Sequence, residues 1–363
     1  MRVLVAMSGG VDSSVAAALL VEQGHEAVGA TLKLWGGPSD SGCCSVADVE
    51  DARRVAQQLG IDHHVFNLTE EFGRAVVGPY VEAHVRGRTP NPCIECNRAI
   101  KFDRLLQRAD RLGFDRLATG HHARVVCEVG RWRLRRGADG AKDQSYVLSM
   151  LDQQALARVV FPVGDLTKDE VRAQARRLGL RTAAKPDSQD VCFIGSVEGR
   201  RGFLEGKMTL HPANVVDTAG RPAGSVEAVE LVTIGQRRGM GHATDGRRRY
   251  VTGVDVAARR VTVGTATEAL RTSVELDARS VTWVDAPLPP GARTVAQVSA
   301  HGRPVPCTVT TRGDDGSVLV VRFDEPQRPV APGQTVALYD VDDPDAVVGA
   351  GIVTDEGASG AVA

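Results

Sequence analysis

Seven residues near the start of the chain, Ser8-Gly9-Gly10-Val11-Asp12-Ser13-Ser14, have the types and spacing of an anion-binding turn. The two glycines let the backbone approach an anion closely, and the serine hydroxyls add neutral donors. Amides at the start of a following helix would point outward without partners. Phosphate oxygens suit such a loop. The run G-x-x-x-x-G-K-[ST] is absent, so a site with its own lysine on the terminal phosphates is not indicated.

Cysteine is the second chemistry-bearing type. Cys93-Ile94-Glu95-Cys96 lies in Thr89–Asn97, where Pro90 and Pro92 are expected to hold the chain extended and to place the pair on a rigid loop. Cys96, near the start of the next helix, would have its thiolate favoured by the helix dipole. C-x-x-C fits half a zinc site, a redox pair or two ligands of an iron-sulfur cluster. The zinc reading needs a second pair nearby, and none of the remaining cysteines supplies one. Cys192, in Pro186–Ile194, sits between polar and apolar residues, and its meaning depends on what it faces. Cys43 and Cys44 follow Trp35-Gly36-Gly37-Pro38 and read as loop residues, with a sulfur-handling role open.

Other polar groups accompany these. The adjacent side chains of His121 and His122, after Gly120, diverge, which favours one functional and one packing histidine over a metal pair. Lys142-Asp143-Gln144-Ser145-Tyr146 offers a lysine for phosphate and a glutamine for a base edge. Arg131, Arg133, Arg135 and Arg136 fall on a hairpin expected to turn at Gly130, facing either a phosphate backbone or solvent.

The elements that must position these groups follow from hydrophobic pattern. Val3–Met7 reads as a buried strand and Val15–Val21 as a helix before Gly24. Ala27–Leu34 is a second strand, Asp48–Leu59 an amphipathic helix closed by Gly60, and His64–Asn67 a third strand. A helix carrying Leu105, Ala109 and Leu112 on one face stops at Gly113, and Leu117–Thr119 is the next strand. Thr167–Glu170 is a capping box opening a helix that Gly179 closes. The alternation predicts an α/β fold with a doubly wound parallel sheet, its ligand site beyond the carboxyl ends of the strands. Beyond Leu204 short β-rich runs take over. Val251–Val256 with Val261–Val263 reads as a hairpin, and Val281–Trp283, Thr294–Val298, Cys307–Thr310, Val318–Phe323, Thr335–Tyr339 and Val347–Val353 suggest a small barrel. Arg237-Arg238 and Arg247-Arg248-Arg249 are basic clusters between the halves.

The 363 residues, 42% hydrophobic and 25% charged, provide for two or three domains. With a formal net charge of -1, any nucleic-acid partner must be held by local basic patches. No apolar run approaches the roughly 20 residues that span a bilayer, and nothing at the start resembles a signal peptide. A cytoplasmic protein is expected, in which seven cysteines are buried, metal-binding or catalytic.

S-G-G-x-D-S resembles the PP-loop of the N-type ATP pyrophosphatases, which cleave ATP between the α and β phosphates. The chain is further similar, nearly end to end, to the bacterial tRNA-specific 2-thiouridylases. The matching runs are AMSGGVDSS (Ala6–Ser14), NPCIECNRAIKF (Asn91–Phe102), TGHHAR (Thr119–Arg124), KDQSY (Lys142–Tyr146), FPVGDLTKDEV (Phe161–Val171), DSQDVCFIG (Asp187–Gly195), TIGQRRG (Thr233–Gly239) and PGQ (Pro332–Gln334).

The resemblance implies a PP-loop domain over 1–204, a small β-rich central tRNA-binding domain over 205–272 and a C-terminal β-barrel over 273–363. It implies ATP-dependent adenylation of the C2 oxygen of the wobble uridine, then displacement of AMP by sulfur. Cys192 would carry that sulfur as a persulfide, and Cys96 would release it by closing a transient disulfide, which needs Cα atoms within about 7 Å. Ala6, Met7, Ser8, Gly9, Gly10, Val11, Asp12 and Ser13 would hold ATP, with Leu32 against adenine and Gly120 nearby. Asn91, Pro92 and Cys93 would face the target base, and His121, Lys142, Asp143, Gln144 and Gln334 would touch tRNA. Magnesium on the phosphates and a cysteine desulfurase or sulfur-relay protein as donor complete the expectation.

Two departures stand out. Well-known members carry aspartate where this chain has Cys93, so Cys93, Cys96 and Cys192 form a trio that a [4Fe-4S] cluster would also suit, its fourth iron binding hydrosulfide. Ser299-Ala300-His301 stands where an Arg-Tyr pair is common, leaving the tRNA contact there lost or rebuilt. The competing readings are a PP-loop enzyme acting on another acceptor, against which the thiols speak, and a non-catalytic RNA-binding protein.

Overall fold

The computed structural model describes residues 1–35, 45–187, 191–195, 198–243, 246–313 and 316–355. Cys43, Cys44, Gly36 to Pro38 and Ser188 to Asp190 lie outside the described residues.

The chain opens with β1 (Arg2–Ala6), α1 (Val11–Glu22), β2 (Glu26–Lys33), α2 (Val46–Leu59) and β3 (His63–Asn67). These strands join β4 (Arg116–Thr119) and the short strand Val159–Val160 in a five-stranded parallel sheet, ordered β3-β2-β1-β4 and then Val159–Val160. The sheet winds outward in both directions from β1, as expected of a doubly wound fold. The turn after β1 therefore lies at the switch between β2 and β4, where such sheets bind ligands.

Val3, Leu4 and Val5 are wholly buried, because helices cover both faces of a parallel sheet. The run Ala16-Ala17-Ala18 is small enough to let α1 pack closely among Val3, Val5 and Val171. α2 is capped at its start by Ser45, whose hydroxyl accepts the Asp48 amide, and closed by Gly60 at φ 69°. The capping box of Thr167 and Glu170 opens the helix Lys168–Arg177.

The prolines around the cysteine pair act otherwise than expected. Instead of an extended loop, Pro92–Glu95 forms a helical turn that runs into a widened π-type segment, Cys96–Arg104, and then Leu105–Arg111. Proline at a first helical position sacrifices no hydrogen bond and arrives with a helical φ, so only the residue before it is driven extended. Leu105 and Ala109 are fully buried, but Leu112, assigned to the same face, is 49% exposed at the helix end.

After residue 200 the chain is β-rich. The hairpin Tyr250–Asp255 and Arg260–Gly264 joins Ala213–Asp217 and Pro222–Val226 in a four-stranded sheet. A seven-stranded sheet follows, in the order Arg271–Asp277, Val318–Gln327, Val305–Arg312, Arg293–Gln297, Thr335–Tyr339, Val347–Ile352 and Thr282–Trp283. An antiparallel bridge from Leu276 to Val353 draws its ends together around Val309, Val321, Val336 and Leu338, giving the C-terminal barrel. The strands Ala213–Asp217, Pro222–Val226 and Arg271–Asp277 add to those read from the hydrophobic pattern.

Two compact units share the chain discontinuously. One comprises Met1–Val77, Pro92–Gly199 and Asp345–Val347; the other comprises Gly78–Asn91, Arg200–Pro344 and the chain from Val348. Within the first, Asp345 accepts the Arg136 amide at 2.9 Å and the Arg124 guanidinium at 3.1 Å. Among the described residues no helix is long and apolar enough to cross a membrane.

Candidate active site

α1 begins inside the motif, at Val11, four residues earlier than its apolar pattern indicates. Its N-cap, Gly10, has no side chain to occupy the first-turn amides. They remain donors for an anion. Gly9 adopts φ 73°, and a Cβ there would come 2.3 Å from the Asp48 carbonyl oxygen. The Ser13 hydroxyl accepts the Ser8 amide at 3.2 Å, and the Ser14 hydroxyl donates to the Gly10 carbonyl at 2.8 Å. Met7 is tied to β2 through its amide and the Ala30 carbonyl at 2.8 Å, and Leu32 is buried on that strand. Gly120, at the end of β4, lies against the Asp12–Ser13 backbone.

Two lysines that sequence reasoning missed reach this loop from elsewhere. The Lys168 ammonium, only 9% exposed by residue, lies 2.8 Å from each Asp12 carboxylate oxygen and 2.9 Å from Asp187 Oδ1. Lys185 donates to the Gly9 carbonyl at 3.0 Å and to Asp48 and Asp51 at 2.6 and 2.8 Å. His122 Nε2 lies 3.2 Å from Asp12 Oδ1. Burial alone would raise the Asp12 pKa, but the contacts with His122 and Lys168 hold it below the usual carboxylate value. Asp187 behaves alike: burial opposes ionisation, while Lys142 and Lys168 hold it well below the ordinary range.

Cys93 and Cys192 are half-buried and Cys96 is buried. Phe193, directly after Cys192, is anchored edge-on to Phe72 with ring centroids 5.5 Å apart and beside Trp35 at 6.3 Å. Directly before Cys192, Val191 has φ 55°. A β-branched residue in the left-handed region marks a strained backbone, as active sites often hold. Among the described residues no three His, Cys, Asp or Glu side chains gather as a metal-holding group.

The residues expected at tRNA occupy varied settings. His121 is buried between Phe102 and Phe161, with Nδ1 2.6 Å from the Thr119 hydroxyl. Lys142 pairs with Asp187 at 2.8 Å. The Asp143 side chain, 6% exposed, accepts hydrogen bonds from Arg136, Gly137 and Ser145. Gln144 Oε1 accepts the His122 amide at 2.9 Å. On the hairpin, Arg133 and Arg135 pair with Glu128. In the second unit, Gln334 donates to the Thr89 carbonyl, two residues before half-buried Asn91, and the Thr89 amide donates to the Pro332 carbonyl at 2.8 Å. The carbonyls of Ser299 and Ala300 both accept from Gln297 Nε2.

Two family models match the chain: one described as the tRNA methyl transferase HUP domain over residues 1–196, and one described as the aminomethyltransferase beta-barrel domain over residues 273–353. The chain is 45% identical to the tRNA-specific 2-thiouridylase MnmA of Carboxydothermus hydrogenoformans, over 93% of this chain and 94% of that protein. It is 46% identical to the protein of that name from Geobacter metallireducens, over 94% of each chain. For Kineococcus radiotolerans the identity is 49%, over 93% of this chain and 95% of that one. A solved 4-thiouridine synthetase–RNA complex with bound ATP aligns weakly, at 20% identity and TM-score 0.36, over 53% of this chain and 44% of that one.

Proposed function

The chain belongs to the tRNA-specific 2-thiouridylases, and from that premise we propose that it replaces the C2 oxygen of the wobble uridine of tRNA with sulfur, consuming ATP. The near full-length identity to these relatives carries the reading. The thiols and the phosphate-type loop supply chemistry to match, which a methyl-transfer reading of the family-model description would leave unused.

A uridine C2 carbonyl is a poor electrophile with a poor leaving group, and adenylation cures both faults. The C2 oxygen bonds to the α-phosphorus, the bond to the β-phosphate breaks, and pyrophosphate leaves with the electron pair while the N3 proton passes to solvent. Val11, Asp12 and Ser13 at the start of α1, with Gly9 and Gly10, receive the phosphates, and Leu32 lies on the strand beside the loop. The terminal sulfur of a Cys192 persulfide then bonds to C2 as AMP departs. Cys96 attacks Cys192 Sγ, breaking the persulfide bond and closing a disulfide that a dithiol reductant reopens.

Magnesium enters with ATP and offsets phosphate charge. Both Asp12 oxygens are engaged by Lys168, so phosphate oxygens would supply most of its ligands. We adopt the persulfide relay, with a [4Fe-4S] cluster on Cys93, Cys96 and Cys192 as the alternative source of the sulfur. A cysteine desulfurase or relay protein supplies the sulfur, the reaction takes place in the cytoplasm, and the chain is divided into a catalytic domain over 1–204, a tRNA-binding domain over 205–272 and a barrel over 273–363.

The test is nucleoside mass spectrometry of unmodified tRNA incubated with metal-free protein, ATP, magnesium and a desulfurase. 2-Thiouridine at the wobble position is the expected product, lost in Cys96→Ser and Cys192→Ser while pyrophosphate release persists. Product only after anaerobic iron-sulfur reconstitution replaces the relay with the cluster; no product in either case overturns the substrate assignment.

A further inference from the structure

We propose that His63, on β3, is a positioning residue for the ATP-dependent step: through Thr31 on β2 it fixes the Met7–Ser8 peptide, from which the anion loop leaves the sheet. The role rests on the function proposed above, since it matters only where the loop receives ATP.

The Met7–Ser8 peptide is held from both sides. Its carbonyl, on Met7, accepts the Thr31 hydroxyl at 2.7 Å, and its amide, on Ser8, donates to Ser13 Oγ at 3.2 Å. One rigid plane carries both constraints, and turning it would swing Gly9, Gly10 and the first-turn amides of α1 away from a bound phosphate. Ser13 belongs to the loop itself. Thr31, buried on the neighbouring strand, is the anchor from outside.

His63 completes that anchor. Its Nε2 lies 2.9 Å from Thr31 Oγ1. The hydroxyl has one hydrogen, which it gives to the Met7 carbonyl, so the imidazole must be the donor and Nε2 carries the proton. Nδ1 is then a bare acceptor, buried with no hydrogen-bond partner. A second proton there would face the charges of Arg53 on α2 and His64 on the same strand, and burial together with those charges holds the His63 pKa below 6.5. The ring stays neutral, in the one tautomer that serves Thr31. Gly29 makes room for it: a Cβ there would come 2.7 Å from Met7 Sδ and 3.0 Å from His63 Cδ2, so the two side chains share the space a larger residue would fill.

A loop already in its binding shape loses less of the ATP binding free energy to ordering. Releasing the anchor weakens ATP in the ground state and the transition state alike, which raises KM more than it lowers kcat.

A hydrogen-bond chain that only stabilised the sheet would have the same geometry at rest, so the test reads kinetics beside folding. Full-length wild type, His63→Leu, His63→Gln and Thr31→Val are compared for tRNA-dependent pyrophosphate release, with kcat and the KM for ATP measured separately. The same preparations are assayed for thermal unfolding and for sulfur loading of Cys192 by a desulfurase. His63→Leu removes the donor and keeps an apolar side chain beside Met7; it is expected to raise the KM for ATP by about tenfold, with kcat within about threefold of wild type. His63→Gln, whose amide nitrogen can stand in for Nε2, should bring the KM back to within about threefold of wild type. Thr31→Val should match His63→Leu, and combining the two should add little, because both interrupt one path. Should His63→Leu not fold, Thr31→Val decides by the same criteria. A KM within about twofold of wild type in these variants, an equal rise in His63→Gln, or a rise seen only where sulfur loading is lost and the melting transition collapses overturns the proposal. Wild-type protein that releases no pyrophosphate overturns the parent reading instead, and that control separates the two failures.

Discussion

Gly120 faces Ser13 across the end of β4 with no space between them: a Cβ on Gly120 would lie 2.5 Å from the Ser13 amide nitrogen. The obstacle is backbone on the first turn of α1, which cannot rotate away. Gly120→Ala should therefore push the anion loop off β4, and with it the amides meant for phosphate. The expected outcome is loss of ATP binding by calorimetry, by about tenfold or more, with sulfur loading of Cys192 preserved. Unchanged ATP affinity would separate this glycine from the nucleotide site.

Val191 offers a test in the opposite direction. Its left-handed backbone next to Cys192 costs roughly 1–3 kcal/mol, which glycine would recover. Val191→Gly is expected to raise stability to urea while slowing thiolation, because the thiol loses its fixed setting. Faster or equal thiolation would mean that the strained conformation does not serve Cys192.

His121 predicts a pH dependence. Burial, then the charges of Lys101 and His122, hold its pKa well below 6.5. Below pH 6.5 the unfolded chain takes up a proton that the folded protein refuses, so stability falls as pH drops, by up to about 1.4 kcal/mol per pH unit for one such group. His63 and His84, also lowered by burial, act in the same sense. The informative quantity is the difference between wild type and His121→Asn in urea unfolding between pH 7.5 and 5.5, where the variant should show the shallower slope.

Asp143 separates a structural from a recognition role. Its carboxylate ties Arg136, Gly137 and Ser145 together in a buried setting. Asp143→Asn should cost about 1–3 kcal/mol by weakening the charge-assisted hydrogen bonds to Arg136, Gly137 and Ser145, read as a lower melting temperature. tRNA affinity measured below that temperature should hold. A fall in affinity without a change in melting would instead make Asp143 a tRNA contact.

Much of this arrangement was readable from local pattern. The strand, glycine turn and helix of Val3 to Glu22 announce themselves through composition, and the Thr167–Glu170 box needs only residues three apart. Lys168 was hidden because its partner, Asp12, is 156 residues away in sequence, and a lysine at a helix start normally faces water. The helical turn at Pro92 was missed because proline breaks a helix interior yet suits its first position. Strand Pro222–Val226 begins with proline and contains Gly224, both depleted in strands, so pairing with Ala213–Asp217 rather than propensity defines it.

The return of Asp345–Val347 to the hairpin of the first unit carries a consequence for synthesis. Arg124 and Arg136 find their Asp345 partner, and Arg135 its bridge to Ala346, only after more than two hundred further residues have been added. On the ribosome, that hairpin therefore cannot make these contacts until the barrel is almost entirely translated. Its completion is one of the last events in the making of the chain.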